Sequence, residues 1–285
     1  MKIKNDDKKD DDLQRNIVSR KIKIYAVLLA AGTGSRTGFS LPKQLIKIKN
    51  KEIILHSLDI FLNSKINFDA IIITVPPPQI YDFKWNAFFG NNLSEEKNKK
   101  IKIITGGKSR QESVYNAIKY IENRYIKANA SEENSENAVE NAVVFIHDSA
   151  RPFVTDNELS MLLDKTAEYG AAFLCSGVTE TIKEINAGKD KIAETAAHKT
   201  DAVKLNTLLR DRLISAKTPQ TFKFDIIKKA VYKAAEENFI STDDVSLVEN
   251  LGLPVFPVQS TDLNIKITSA LDVEIAEMFL KKFHA

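Results

Sequence analysis

The chain has 285 residues, 43% of them hydrophobic and 28% charged, with a formal net charge of +3 at pH 7. A chain of this length and make-up buries a sizeable core without disulfides or metal staples, and its small net charge gives no ground for nucleic-acid or membrane binding. The single cysteine, Cys175, excludes an intramolecular disulfide and argues against thiolate zinc sites; within AAFLCSGV it reads as a buried, inert thiol.

The first stretch, MKIKNDDKKDDDLQRNIVSR, has no apolar signal core and is too acidic for a transit peptide, so residues 1–21 are predicted as a disordered tail. No run approaches the roughly 20 apolar residues that span a bilayer, and the expectation is a cytoplasmic protein. Strand-length apolar runs follow at Ile24–Ala30, Ala70–Val75, Ile101–Thr105, Ala142–His147, Ala171–Val178 and Val255–Gln259. Between them, helical periodicity marks Ile53–Leu62, Gln111–Ile126, Asp156–Tyr169, Phe224–Glu237, Asp243–Asn250 and Ala270–Phe283. This alternation predicts an α/β fold with a mainly parallel sheet and helices on both faces, forming one domain over residues 22–283.

Two segments break the rhythm. Residues 127–141, KANASEENSENAVEN, lack large apolar side chains and read as a polar surface insertion. Thr181–Leu213 is polar with weak periodicity, which suits either a projecting β-arm or a long irregular loop. Trp85, Phe222 and Phe224 read as packing residues.

The densest signal is AVLLAAGTGSRTGFSLPKQ, residues 26–44. A buried strand runs into Ala30, Ala31, Gly32 and Gly34, small residues that let backbone N–H groups approach a polyphosphate closely. Arg36 and Lys43 add positive charge within one loop's reach, at the carboxyl end of a strand where α/β folds bind ligands. Two familiar motifs fail by position. A dinucleotide fingerprint needs glycine where Thr37 stands, and a P-loop ending in the GGKS of residues 106–109 needs glycine where Lys102 stands. Read alone, the loop also fits a tight βα turn with two solvated cations.

Loop and PKQ together resemble the nucleotidyltransferases that activate sugars and polyols. GGKSRQESV (106–114), HDSARPFV (147–154) and AKTPQTF (216–222) narrow the likeness to the methylerythritol phosphate cytidylyltransferases of non-mevalonate isoprenoid synthesis. STDDVSLVENLG (241–252) and NIKIT (264–268) continue it in the same order. The resemblance implies a Rossmann-like fold and transfer of a cytidylyl group from CTP to a small polyol phosphate. It implies that Arg36, Lys43 and Lys266 stabilise the transition state, and that Ala30, Ala31, Gly32, Gly34, Gly107, Lys108, Ser113 and Ser149 hold the nucleotide. Asp148, Arg151, Thr181, Thr218 and Thr242 then fall to the acceptor. Arg210, with Arg212 as competitor, matches an arginine lent across a homodimer to the acceptor phosphate. The chain departs from the pattern in a longer arm at 186–209 and in Leu263, which stands where the family usually has aspartate.

Such a transfer needs fixed cations and one divalent metal rather than a strong base, because the attacking phosphate oxygen is already an anion. Mg²⁺ is expected to ride mainly on the CTP phosphates, with Asp148 the one carboxylate nominated to touch it. His147 reads as an orienting or core histidine. Asp148 with Arg151 also fits a local ion pair, and Arg210 a solvated arm residue. Rival readings are a ribitol 5-phosphate cytidylyltransferase, which tends to HDxVRP and NFKIT, and a non-catalytic nucleotide-binding module.

Overall fold

The computed structural model describes residues 22–32, 41–126, 142–185 and 205–283. The expected tail at 1–21, the loop segment 33–40 with Gly34 and Arg36, the insertion at 127–141 and arm residues 186–204 lie outside the described residues.

Seven strands form the main sheet in the order β11-β7-β10-β6-β1-β4-β5. They are β1 (Lys23–Leu29), β4 (Ala70–Val75), β5 (Ile101–Thr105), β6 (Ala142–Asp148), β7 (Ala171–Gly177), β10 (Ile214–Lys223) and β11 (Phe256–Gln259). β1 pairs in parallel with β4 on one side and β6 on the other. β10 alone runs against its neighbours, β6 and β7. The strands are built from runs such as AIIITV in β4, whose six residues are all buried. Branched side chains suit a pleated surface, and apolar residues at every position suit a strand covered on both faces.

The period of two divides each strand between two cores. Tyr25, Val27, Ala70, Ile72, Val144 and Ile146 face one layer. Ala26, Leu28, Ile71, Ile73, Val143 and Phe145 face the other. The first layer is closed by α4 (Arg110–Ile121), α6 (Phe224–Glu236) and α7 (Asp244–Glu249); the second by α1 (Ile53–Leu62), α2 (Trp85–Asn92) and α5 (Asp156–Tyr169). α5 and α6 show their reason in sequence. α6 buries Phe224, Ile227, Ala230, Val231 and Ala234 at helical spacing. α5 starts on a capping box between Thr155 and Glu158 and stops at Gly170, whose φ of 87° suits glycine. A smaller cluster seats α8 (Ala270–Phe283) through Ala276 and Leu280 against Ile46, Ile48 and Ile53.

The helices foreseen at 53–62 and 156–169 have those bounds. The one foreseen at 111–126 ends its α-helical part at Ile121 and passes into a π-helical turn, Glu122–Ile126. Three features escaped the sequence reading. α2 and the short α3 (Glu95–Lys99) are polar or aromatic with little periodicity. A hairpin joins β2 (Lys47–Ile48) to β3 (Lys51–Glu52) through Lys49 and Asn50, both at positive φ (46° and 66°) as a primed turn requires. β10 is the third: its buried half carries Thr218, Gln220 and Thr221, and polar side chains hide a strand from a hydrophobicity scan. Of the two options for the arm, the described part is a β-ribbon. β8 (Lys183–Ile185) pairs antiparallel with β9 (Leu205–Thr207). No helix among the described residues is long and apolar enough to cross a membrane.

Candidate active site

The strand order reverses at β1: the chain moves out through β4 and β5, then returns to lay β6 on the other side. Crevices form at such reversals, beyond the carboxyl ends of the strands. Here a cleft of about 410 Å³ opens there, lined by the ends of β1 and β6, the Gly107–Arg110 strip after β5, Lys43, Gln44 and Lys266.

The β1 end is tied down first. Ala30 N–H donates to the Thr74 carbonyl at 2.9 Å. The fully buried Gln44 amide donates to the Ala30 carbonyl at 2.7 Å. Pro42 begins a 3-10 turn over Lys43–Leu45. In the PKQ triplet, proline therefore sets the turn, glutamine anchors it to the strand end, and Lys43 is carried to the cleft.

The strip after β5 lies close against this loop. A Cβ on Gly106 would stand 2.4 Å from the Ala31 Cβ, and one on Gly107 would stand 2.3 Å from Glu112 Cγ, so neither position admits a side chain. Ser113 Oγ accepts from the Gly107 N–H at 3.0 Å and donates to the Ser109 carbonyl at 2.9 Å. Glu112 accepts from the Lys108 N–H at 2.7 Å. Ser109 caps α4 by accepting from the Glu112 N–H. These contacts hold the strip as a rigid cleft wall.

At the β6 end, His147 is fully buried. Its Nε2 can only donate to the Arg151 carbonyl, 3.0 Å away. Its Nδ1 therefore accepts from the Thr218 hydroxyl at 3.0 Å, and Thr218 Oγ1 in turn accepts from the Asp148 N–H at 3.1 Å. Burial pushes the imidazole down to about 4, so it is neutral and orients rather than transfers protons. The peptide bond between Thr218 and Pro219 is cis. Asn264 donates to the Thr218 carbonyl at 3.1 Å, Arg151 Nη1 to the Asn264 carbonyl at 3.0 Å, and Ile267 N–H to the Ala150 carbonyl at 2.8 Å. This lacing brings Lys266 to the cleft despite Leu263 in the position before Asn264.

The charges form a chain. Lys266 Nζ lies 2.6 Å from Asp148 Oδ2, Arg110 Nε 3.4 Å from Asp148 Oδ1, and Arg151 Nε 4.0 Å from Asp148 Oδ2. Arg110 also grips the buried Asp244 through Nη1 and Nη2 at 2.8 and 2.7 Å. Burial alone would raise the Asp148 pKa, but Arg110 and then Lys266 outweigh it and hold the carboxyl far below the usual range. Burial also works against the Arg110 charge, and Asp244 more than offsets it, so the guanidinium holds its proton tighter than a solvated arginine.

A resident metal does not fit these residues. Among the described residues no group of three His, Cys, Asp or Glu side chains could hold one. Asp148, the nominated carboxylate, has Lys266, Arg110 and Arg151 around it, so an approaching divalent ion would meet like charge there. Mg²⁺ fits the cleft as part of a nucleotide, on its phosphates.

The cleft brings together Ala30, Ala31, Gly32, Lys43, Gly107, Lys108, Ser113, Asp148, Ser149 and Lys266. Arg151 and Thr218 stand behind it, holding Asp148 and His147. Thr242 is exposed beside α7 and Thr181 on the arm. Arg210 is exposed and donates to the Thr179 carbonyl at 2.9 Å; Arg212, in the same turn, is exposed as well. Sequence reasoning passed over Gln44, Arg110 and Asp244. Arg110 did carry a signal: a cation at the first position of a helix opposes the dipole and calls for an acidic partner.

A family model described as IspD, 2-C-methyl-D-erythritol 4-phosphate cytidylyltransferase, matches residues 24–282. The protein of that name from Clostridium tetani (strain Massachusetts / E88) is 37% identical over 264 residues, covering 92% of each chain. Its namesake from Clostridioides difficile (strain 630) is 35% identical over 259 residues, covering 90% of this chain and 94% of its own. The crystal structure of the Francisella tularensis protein of that name superposes with a TM-score of 0.67 at 28% identity, covering 90% of this chain and 99% of that one. With the glycine-walled cleft, its lysines and the sheet order all in place, the chain belongs to the 2-C-methyl-D-erythritol 4-phosphate cytidylyltransferase family.

Proposed function

We propose that the chain joins CTP to 2-C-methyl-D-erythritol 4-phosphate, giving 4-diphosphocytidyl-2-C-methyl-D-erythritol and pyrophosphate, within isoprenoid precursor synthesis. The observation that carries this reading is the convergence of Lys43 and Lys266 with the glycine-bearing strand ends on one cleft. An acceptor phosphate oxygen forms the new bond to the α-phosphorus while the bond to the β-phosphate oxygen breaks. No proton has to leave the nucleophile, so the site's task is to hold two polyanions together and to stabilise charge growing on the α-phosphate and the leaving group. Lys43 and Lys266 supply that charge, joined by Arg36 of the segment outside the described residues. Mg²⁺, carried on the triphosphate, supplies further charge neutralisation. The Gly107–Ser113 strip holds cytosine and ribose, and Asp148, Ser149 and Arg151 shape the boundary with the acceptor.

The same reading makes the protein a cytoplasmic homodimer whose arm lends Arg210 to the neighbouring site. Exposed Ile182, Leu205, Leu209 and Ile214 on and beside the arm support an interface there. Pyrophosphate release from CTP and Mg²⁺ tests the assignment directly. Methylerythritol phosphate should turn over at least about tenfold faster than ribitol 5-phosphate, in keeping with discrimination by a few polar contacts. A preference for ribitol phosphate would move the chain to that acceptor and leave the chemistry standing. No transfer to either would return it to a nucleotide-binding module.

A further inference from the structure

Arg110 is a cleft residue to which the reaction above gives no task. Its fork is committed: Nη1 and Nη2 hold both oxygens of Asp244, a side chain with no exposed surface. Asp244 is itself fixed. Its N–H and that of Val245 donate to Gln220 Oε1 at 2.8 and 3.1 Å, and Gln220 Nε2 donates to Asp243 at 3.0 Å. The remaining Nε–H faces Asp148 Oδ1 at 3.4 Å. On the other oxygen sits Lys266 at 2.6 Å, its side chain 35% exposed at the cleft. Asp148 thus has one cation clamped by a second carboxylate and one whose side chain opens on the cleft, with Arg151 at 4.0 Å in its own loop and neutral His147 beside it.

Lys266 meets a conflict if it serves the phosphates. Turning toward them strips a mostly buried carboxylate of its shortest ion pair, and stranding a buried charge is strongly unfavourable. We propose that Arg110 is a positioning residue: clamped by Asp244, it stays as a fixed counter-charge that keeps Asp148 ionised and in place while Lys266 passes from Asp148 to the nucleotide phosphates. The proposal rests on the cytidylyl-transfer reading for its last step only.

The full-length chain and two variants test it. Arg110→Gln with Asp244→Asn exchanges the buried ion pair for a pair of amides. Arg110→Lys keeps a charge for Asp244 but removes the Nε–H of the stem. Carboxyl ¹³C NMR titration, with Asp148 assigned through Asp148→Asn, reads the carboxylate without any turnover. The Asp148 midpoint should rise by at least about one pH unit in the double variant, and by less in Arg110→Lys. Turnover should fall at least about tenfold in the double variant while KM for CTP stays within about threefold. An acid limb tracking the new midpoint should appear in kcat, which a general loosening of the fold does not produce. An unmoved midpoint in a folded variant overturns the proposal, as does a moved midpoint with wild-type turnover. If the double variant does not fold, Arg110→Lys decides on the same two readouts. A wild type unable to transfer cytidylyl groups defeats the functional reading instead, and the titration still decides whether Arg110 holds Asp148 ionised.

Discussion

Lys43 owes its place to its neighbours, Pro42 turning the chain and Gln44 binding the Ala30 carbonyl. Because those two fix the turn, Lys43→Ala should fold nearly as wild type while turnover drops at least about 100-fold, as when a preorganised charge leaves a dry site. Thermal unfolding beside steady-state rates checks both halves, and near-normal turnover would show Lys43 to be a surface residue. His147 makes a different prediction. Its folded pKa lies near 4 against an ordinary 6.5, so between those values the unfolded chain binds the proton and the folded one does not. Stability should therefore rise with pH across that window, by up to about 3 kcal/mol from this residue. His147→Asn should flatten the slope of unfolding free energy from pH 4 to 6.5; an unchanged slope would assign it to other groups. Side chains in contiguous motifs, such as Lys43 and Lys266, were legible in the sequence. The Arg110–Asp244 pair was not, because its partners lie 134 positions apart and only the fold joins them.

At the level of elements, legibility followed hydrophobic period. β4 and β5 and helices α1 and α5 were read with their observed bounds, since each writes its environment into its hydrophobic period. β10 was missed because it fills its buried half with Thr218, Gln220 and Thr221, satisfied by hydrogen bonds to His147, Asp243 and Ala172. Periodicity does not decide the β8–β9 ribbon, because an arm with no core of its own need not alternate. Its proposed work belongs to the dimer. Arg210→Ala should weaken acceptor binding and turnover while CTP binding stays close to wild type. Mixed dimers sharpen this. Pairing an Arg210→Ala subunit with a Lys43→Ala subunit leaves one site with both residues and one with neither, so about half the wild-type activity per heterodimer should return. A mixture no more active than its parents, with subunit exchange verified, would place Arg210 in its own subunit's service or hand the role to Arg212.

Across the molecule, the mainly parallel α/β class and a ligand site at the carboxyl end of β1 were legible because strand–helix alternation permits few arrangements. The strand order was not, and it has a consequence for how the protein is made. β10 lies between β6 and β7 in space but leaves the ribosome after both. Strands β1, β4, β5 and β6 can zip into a parallel half-sheet while synthesis continues. β7, with its place beside β6 reserved for a later strand, must wait as an unpaired edge until β10 arrives to bridge them. Lys266 and Asp244 come later still, so the carboxyl-terminal third both closes the sheet and arms the cleft. A nascent chain therefore carries the glycine-walled half of the site and Lys43 well before it carries Lys266 and the Asp244 that clamps Arg110, so closure of the sheet and completion of the cleft fall to the same later stretch of chain.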